Sequence, residues 1–200
     1  MRHRFSTIGA AVVIMAAVVV AQGGQGRQGQ RGQGGRGGGP PGVFYTDVPA
    51  HDIDVVLARP TTTSPTASVM ASRDMDATMS CEPACGAHAL RLKAGVPFEV
   101  ALAGLQPNRD YRYTITADKP LLAGAFHTAR PAGAPFTFVT QADSHLDDNT
   151  SGRVYENTLA NMRADHADFM VDLGDTFMTD KYPAFQDAAK QYVAQRYYFG

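Results

Sequence analysis

The sequence predicts a two-part chain: an all-β sandwich at 43–130, followed by the opening portion of an α/β domain at 135–200. Three observations carry that expectation. From 44 to 128, short β-like runs alternate with Pro, Gly and Asn turn signals, the texture of a small sandwich. After Pro135 the pattern becomes apolar strand, helix, apolar strand, which is a βαβ crossover at this length. The stretch 129–135 between them reads as a joint.

The N-terminus precedes both parts. Met1-Arg2-His3-Arg4 is a short cationic start, 8–20 is uncharged and almost wholly apolar, and Ala21 is the small residue that signal peptidase accepts. Residues 1–21 therefore read as a secretory signal peptide, and the protein is expected to be exported: periplasmic, secreted or at the cell surface. A spanning helix needs about 20 apolar residues, so an uncleaved anchor is the lesser alternative, and no later segment is long and apolar enough to span. The formal net charge of −1 argues against bulk attraction to nucleic acid or anionic membrane.

Residues 22–42 are nearly all Gly, Gln and Arg and offer nothing from which to build a core, so they read as a disordered linker. Arg27, Arg31 and Arg36 among glycines resemble arginine-glycine segments that bind single-stranded nucleic acid. The absence of aromatic residues and the export signal favour a tether.

Within the sandwich, 54–58, 66–70, 98–102 and 111–116 are the clearest strands. In the last, Tyr111, Tyr113 and Ile115 alternate with Arg112, Thr114 and Thr116, so one face is apolar and the other wet. Phe126-His127-Thr128 reads as the closing strand. Cys81 and Cys85, the only cysteines, bracket Glu82-Pro83-Ala84 in an apparent loop. In an exported chain so close a pair is expected to form a small disulfide rather than a metal site, stiffening a loop more than holding the fold. The stretch from Gly104 to Tyr113 resembles the turn and following strand of fibronectin type III-like domains, which implies a module without chemistry of its own.

In the second part, 136–140 is an apolar strand, 153–166 a helix with Val154, Thr158, Leu159 and Met162 on one face, and 168–173 a second strand. Parallel strands joined by a crossover end on the same edge, where α/β folds bind ligands. Asp143-Ser144-His145 stands after the first strand and Gly174-Asp175 after the second. Carboxylate with imidazole suits zinc, iron or manganese and is too nitrogen-rich for calcium. The plain alternatives are a polar loop for Asp143 and His145 and a helix N-cap for Asp175. Asp147, Asp148, Asp172 and Asp180 read as solvated or capping carboxylates, and His51, His88, His127 and His166 fall outside the strand-end pattern. Tyr182, Tyr192, Tyr197 and Tyr198 read as packing residues of a helical region.

Asp-x-His after a strand, then helix, strand and Gly-Asp, resembles the opening of the calcineurin-like metallophosphoesterases, whose catalytic domain has α/β/β/α layers. The resemblance implies that Asp143 and His145 bind a first metal, that Asp175 bridges it to a second, and that the centre hydrolyses a small phosphate ester. The cofactors it implies are two metal ions, iron, manganese or zinc. A sandwich ahead of such a core is also similar to the layout of purple acid phosphatases. Those enzymes usually lack the histidine seen at His145 and have an iron-binding tyrosine three residues after the bridging aspartate, where this chain has Met178, so no tyrosinate-iron colour is expected. The Gly-Asn-His and Gly-His-x-His motifs that complete the family's site, and the proton donor assigned to its histidines, do not occur between Asp175 and Gly200. The catalytic domain is therefore expected to be incomplete in this stretch, with the proton donor beyond Gly200, and the stretch alone inactive. The rival expectation is an exported cell-surface binding protein whose phosphoesterase-like part has no chemistry.

Overall fold

The computed structural model describes residues 48–146, 151–177 and 184–200. These belong to one compact unit spanning Gly39–Gly200. The expected signal peptide at 1–21 and linker at 22–42, together with Asp147, Asp148, Met178, Asp180 and Tyr182, lie outside the described residues.

Strands β1 (Ile53–Ala58), β2 (Thr66–Ala71), β3 (Met75–Glu82), β4 (Ala87–Leu92), β5 (Phe98–Ala101), β6 (Asp110–Thr116) and β7 (Pro120–His127) follow one another along the chain. They pair antiparallel into a three-stranded sheet, β1-β2-β5, and a four-stranded sheet, β4-β3-β6-β7. Period-two alternation decides which side chains face inward: Tyr111, Tyr113 and Ile115 of β6 are buried while Asp110, Arg112 and Thr116 stay exposed. Val55, Val69 and Val100 from one sheet share a single core with Met79, Leu90, Leu92 and Ile115 from the other, so the two sheets form a sandwich. A fully buried side chain of this size contributes about 1.5–3 kcal/mol. An exposed ion pair such as Arg59–Glu99 contributes at most about 1 kcal/mol, so the core, not surface charge, holds the sandwich.

The corner before β6 is tied by hydroxyls. The Tyr111 hydroxyl accepts the Gln106 N–H at 2.9 Å. Buried Thr128 accepts from the Arg109 N–H (3.0 Å) and donates to the Gln106 carbonyl (2.6 Å) through its Oγ1. A tyrosine at the start of this strand bonding back to the preceding turn is a recurrent corner of Ig-like sandwiches. Cys81, within β3, and Cys85, in the turn after it, are joined by a disulfide.

Beyond the sandwich come β8 (Phe138–Gln141), α1 (Gly152–Ala164), β9 (Phe169–Asp172) and α2 (Phe185–Phe199). β8 and β9 pair in parallel, Phe138 opposite Phe169 and Gln141 opposite Asp172. Helix α1 buries Tyr155 and half-buries Leu159 and Met162, whereas Val154 and Thr158 lie exposed, so its inner face is rotated from the one expected. The rotation follows from the partner: the Tyr155 ring meets Tyr198 of α2 edge-on at 5.0 Å, in a small core with Leu146 and Ala194.

Helix α2 also docks on the sandwich. Arg196, only 5% exposed, donates from Nε to the Asp54 carboxylate (2.5 Å) and from Nη2 and Nη1 to the Ser68 carbonyl (2.7 Å) and hydroxyl (3.0 Å). Burial pushes the Asp54 carboxyl above the usual carboxylate range, against the pull of the Arg196 guanidinium and of His51.

Candidate metal centre

The two strand-end loops are zipped together by backbone bonds that continue the parallel ladder. Leu173 N–H donates to the Gln141 carbonyl (2.8 Å), Asp143 N–H to Gly174 (3.0 Å), His145 N–H to Asp175 (3.3 Å) and Leu146 N–H to Thr176 (3.1 Å). Asp172 starts the second loop: its Oδ1 accepts the Gly174 N–H at 2.9 Å, an Asx turn. Gly174, at φ +92°, completes a bend that other residues resist.

This scaffold brings Asp143, His145 and Asp175 together, with donor atoms all within 4.8 Å of one another. His145 Nε2 lies 3.1 Å from Asp175 Oδ2 and 3.6 Å from Asp143 Oδ1. Four-coordinate ligands about 2.1 Å from a zinc-like ion stand roughly 3.4 Å apart, so the two measured edges already have the size that an ion needs. Two carboxylates and an imidazole also match a divalent first-row metal in charge and softness. Among the described residues no other group of three or more His, Cys, Asp or Glu has this geometry.

All three residues are left-handed without being glycine: φ is 56° at Asp143, 44° at His145 and 56° at Asp175. Asp and His tolerate that region better than most residues, yet each such residue costs about 1 kcal/mol or more. Strain of this kind, repeated at three neighbouring donors, clusters at functional sites.

The other histidines among the described residues are held elsewhere. His51 Nδ1 is 2.8 Å from the Pro49 carbonyl, His88 Nε2 is 3.0 Å from the Cys85 carbonyl, and His127 sits between Asp110 (2.7 Å) and Asn108 (3.1 Å). His166 follows α1 in a left-handed conformation, its N–H bonded to the Arg163 carbonyl. Tyr192, Tyr197 and Tyr198 pack against Arg196, His51 and Tyr155 respectively.

Asp172, expected to be a solvated or capping carboxylate, caps the turn, and two residues beside it, Ser144 and Thr176, carried no role in the sequence reading. Asp172 is half-buried, and besides Gly174 it accepts from Thr176 and from Gln195 of α2, both at 3.3 Å. Ser144, between two of the donors, and Thr176, next to the third, meet hydroxyl to hydroxyl at 3.2 Å. The Asp-x-Gly spacing of Asp172 and Gly174 was a legible turn signal, whereas the hydroxyl pair left none. A hollow of about 470 Å³ beside Asp175 is lined by Asp172, Gly174, Thr176, Phe177 and Gln195. Larger cavities lie elsewhere, one of about 600 Å³ between α1, β9 and the end of α2 and one of about 820 Å³ between the sandwich and β9.

No protein-family model matches the chain, and no curated protein does. Among solved structures it is similar to PhoD, at 17% identity over 62% of this chain and 27% of that chain, with a TM-score of 0.47. It is also similar to the sensor domain of the anti-sigma factor RsgI4 of Pseudobacteroides cellulosolvens (13% identity, 42% of this chain, 100% of that chain, TM-score 0.31). A β-glucuronidase of Faecalibacterium prausnitzii is matched at 9% identity over 70% of this chain and 27% of that enzyme, with a TM-score of 0.32. The chain thus spans about a quarter of the length of PhoD. These likenesses are partial, and none bears on what this chain does.

Proposed function

We propose that the chain supplies Asp143, His145 and Asp175 to the metal centre of an exported phosphate-ester hydrolase of the calcineurin-like kind, preceded by a fibronectin type III-like sandwich. The observation that carries this reading is the convergence of three strained donors at the carboxyl ends of two parallel strands. The order of motifs, Asp-x-His then Gly-Asp, supports the family. The strand order and the Tyr111 corner support the sandwich type. The cationic and apolar N-terminus and the Cys81–Cys85 disulfide support export to an oxidising compartment.

Asp143 and His145 would hold one ion. Asp175, whose Oδ2 lies 3.1 Å from His145 Nε2, would be the ligand shared with a second ion. The chemistry such ions supply when bound is Lewis-acid polarisation of the phosphoryl oxygen, a hydroxide at neutral pH and charge neutralisation at the leaving oxygen. The protein fixes the donors, offsets the cationic charge with two carboxylates, and offers the hollow beside Asp175 to a small ester. Asp143 and His145 act as ligands in this reading and move no proton.

The test is Asp175→Ala in the intact protein. We expect metal-dependent hydrolysis of a phosphate ester to be abolished and metal content, measured by elemental analysis, to fall. Unchanged turnover and metal content would overturn the assignment.

A further inference from the structure

We propose that Thr176 is the positioning residue of this centre: its hydroxyl bridges the two ligand loops and sets the separation of their donors. The inference rests on the metal-centre reading above. Thr176 is 4% exposed, although its neighbour Asp175 reaches solvent. Its Oγ1 accepts from the Ser144 hydroxyl at 3.2 Å, and Ser144 lies between Asp143 and His145. The same Oγ1 donates to Asp172 Oδ2 at 3.3 Å, and the other oxygen of Asp172 holds the Gly174 N–H. The Thr176 carbonyl accepts the Leu146 N–H. Thr176 thus binds the first loop through both side chain and backbone, and the second loop through Asp172.

The bridge has a mechanical reason. Asp143 and Asp175 are like charges with side chains 70% and 59% exposed, and among the described residues His145 and the ladder are what else holds them together. A hydroxyl that accepts from one loop while donating to the other couples the two, and the coupling needs both properties at once. Serine retains both, valine neither. Hydroxyl bonds ordinarily measure about 2.7–2.8 Å, so the bridge has room to shorten as the donors draw in on an ion. Partners hydrogen-bonded directly to metal ligands typically change metal affinity about 10–100-fold when removed; Thr176 acts one bond further out, through Ser144 and Asp172, so the low end of that range is expected.

The experiment is a Co²⁺ titration of the purified protein followed by its d–d absorption, with circular dichroism to confirm folding. We expect Thr176→Val to weaken Co²⁺ binding about tenfold and to alter the band, and Thr176→Ser to restore both. Ser144→Ala cuts the same link from the other loop and should give a similar loss. Combined with Thr176→Val it should add little further loss, because the two act as one unit. If the valine variant fails to fold, Thr176→Ala read against Thr176→Ser decides, because the Ser144 hydroxyl also meets Tyr155. Wild-type binding by Thr176→Val or by Ser144→Ala would overturn the bridge, and so would a serine variant as weak as valine. Failure of the metal-centre reading looks different: no Co²⁺ binding by the wild type, or none lost in Asp175→Ala, removes the site and the bridge with it.

Discussion

At Asp143, His145 and Asp175 the backbone and the side chain make opposite demands. A left-handed backbone favours glycine, whereas binding a cation needs a carboxylate or an imidazole. The conflict yields a stability prediction that metal chemistry does not enter. Asp143→Gly and Asp143→Val both delete the donor, but only valine adds a β-branched side chain at φ 56°. In urea unfolding without metal, the valine variant should be less stable than the glycine variant by about 1–2 kcal/mol. Equal stabilities would show that the loop relaxes out of this conformation. The convergence of Asp143, His145 and Asp175 was legible in the sequence because each stands just past an apolar run and the motif is local. The residues behind them were not. Ser144 and Thr176 are separated by 32 positions, and nothing distinguishes a bridging hydroxyl from a solvated one until the loops are brought together.

Elements were legible where their periodicity was strong. β1, β2 and β5 lie where the β-like runs between turn signals put them, β6 where the alternation put it, and β8, α1 and β9 form the expected crossover. β3 and β4 were not marked: the inward residues of β3 include small Ala77 and half-buried Cys81, which dilute the apolar signal, and the turn between the strands contains Cys85. The closing strand was expected only at 126–128, and the residues before it include Pro120 and Gly124, types that ordinarily interrupt strands. β7 nevertheless begins at Pro120, and Gly124 lies directly opposite Tyr113. A Cβ at Gly124 would stand 2.5 Å from the phenol carbon and oxygen of Tyr113. The glycine is what allows the tyrosine ring to lie over its neighbour strand. Gly124→Ala should therefore cost about 1–3 kcal/mol by overpacking, readable as a lowered thermal midpoint. Tyr113→Leu in the same background should recover part of the loss, and no recovery would place the cost in the backbone.

For the whole molecule, the change of texture at 129–135 made the order of sandwich and α/β part legible, but not how they meet. The buried contact between Asp54 and Arg196 spans 142 positions, a distance over which no sequence pattern reaches. A second tie is Asp168, which accepts from Arg130 Nε at 2.7 Å and from the Thr137 N–H at 2.9 Å, so it fastens the joint to the start of β9. Burial pushes the Asp168 carboxyl up, but the Thr137 amide, the Arg130 guanidinium and His127 together outweigh it and hold the group below the usual carboxylate range. A carboxyl lowered by folding contributes its full stability above the unfolded value, about 3.9, and loses it as pH falls through the folded value. Below about pH 4, the wild type should therefore lose stability more steeply than Asp168→Asn in denaturant titrations, with parallel slopes refuting the role. Lastly, the Arg196 contact changes what a cut chain would do. A protease that nicks 129–135 would break the covalent thread while Arg196 still grips Asp54 and Ser68, so the two pieces should elute together in gel filtration. In Asp54→Ala, where the guanidinium is left buried without its counter-charge, the same nick should let them part.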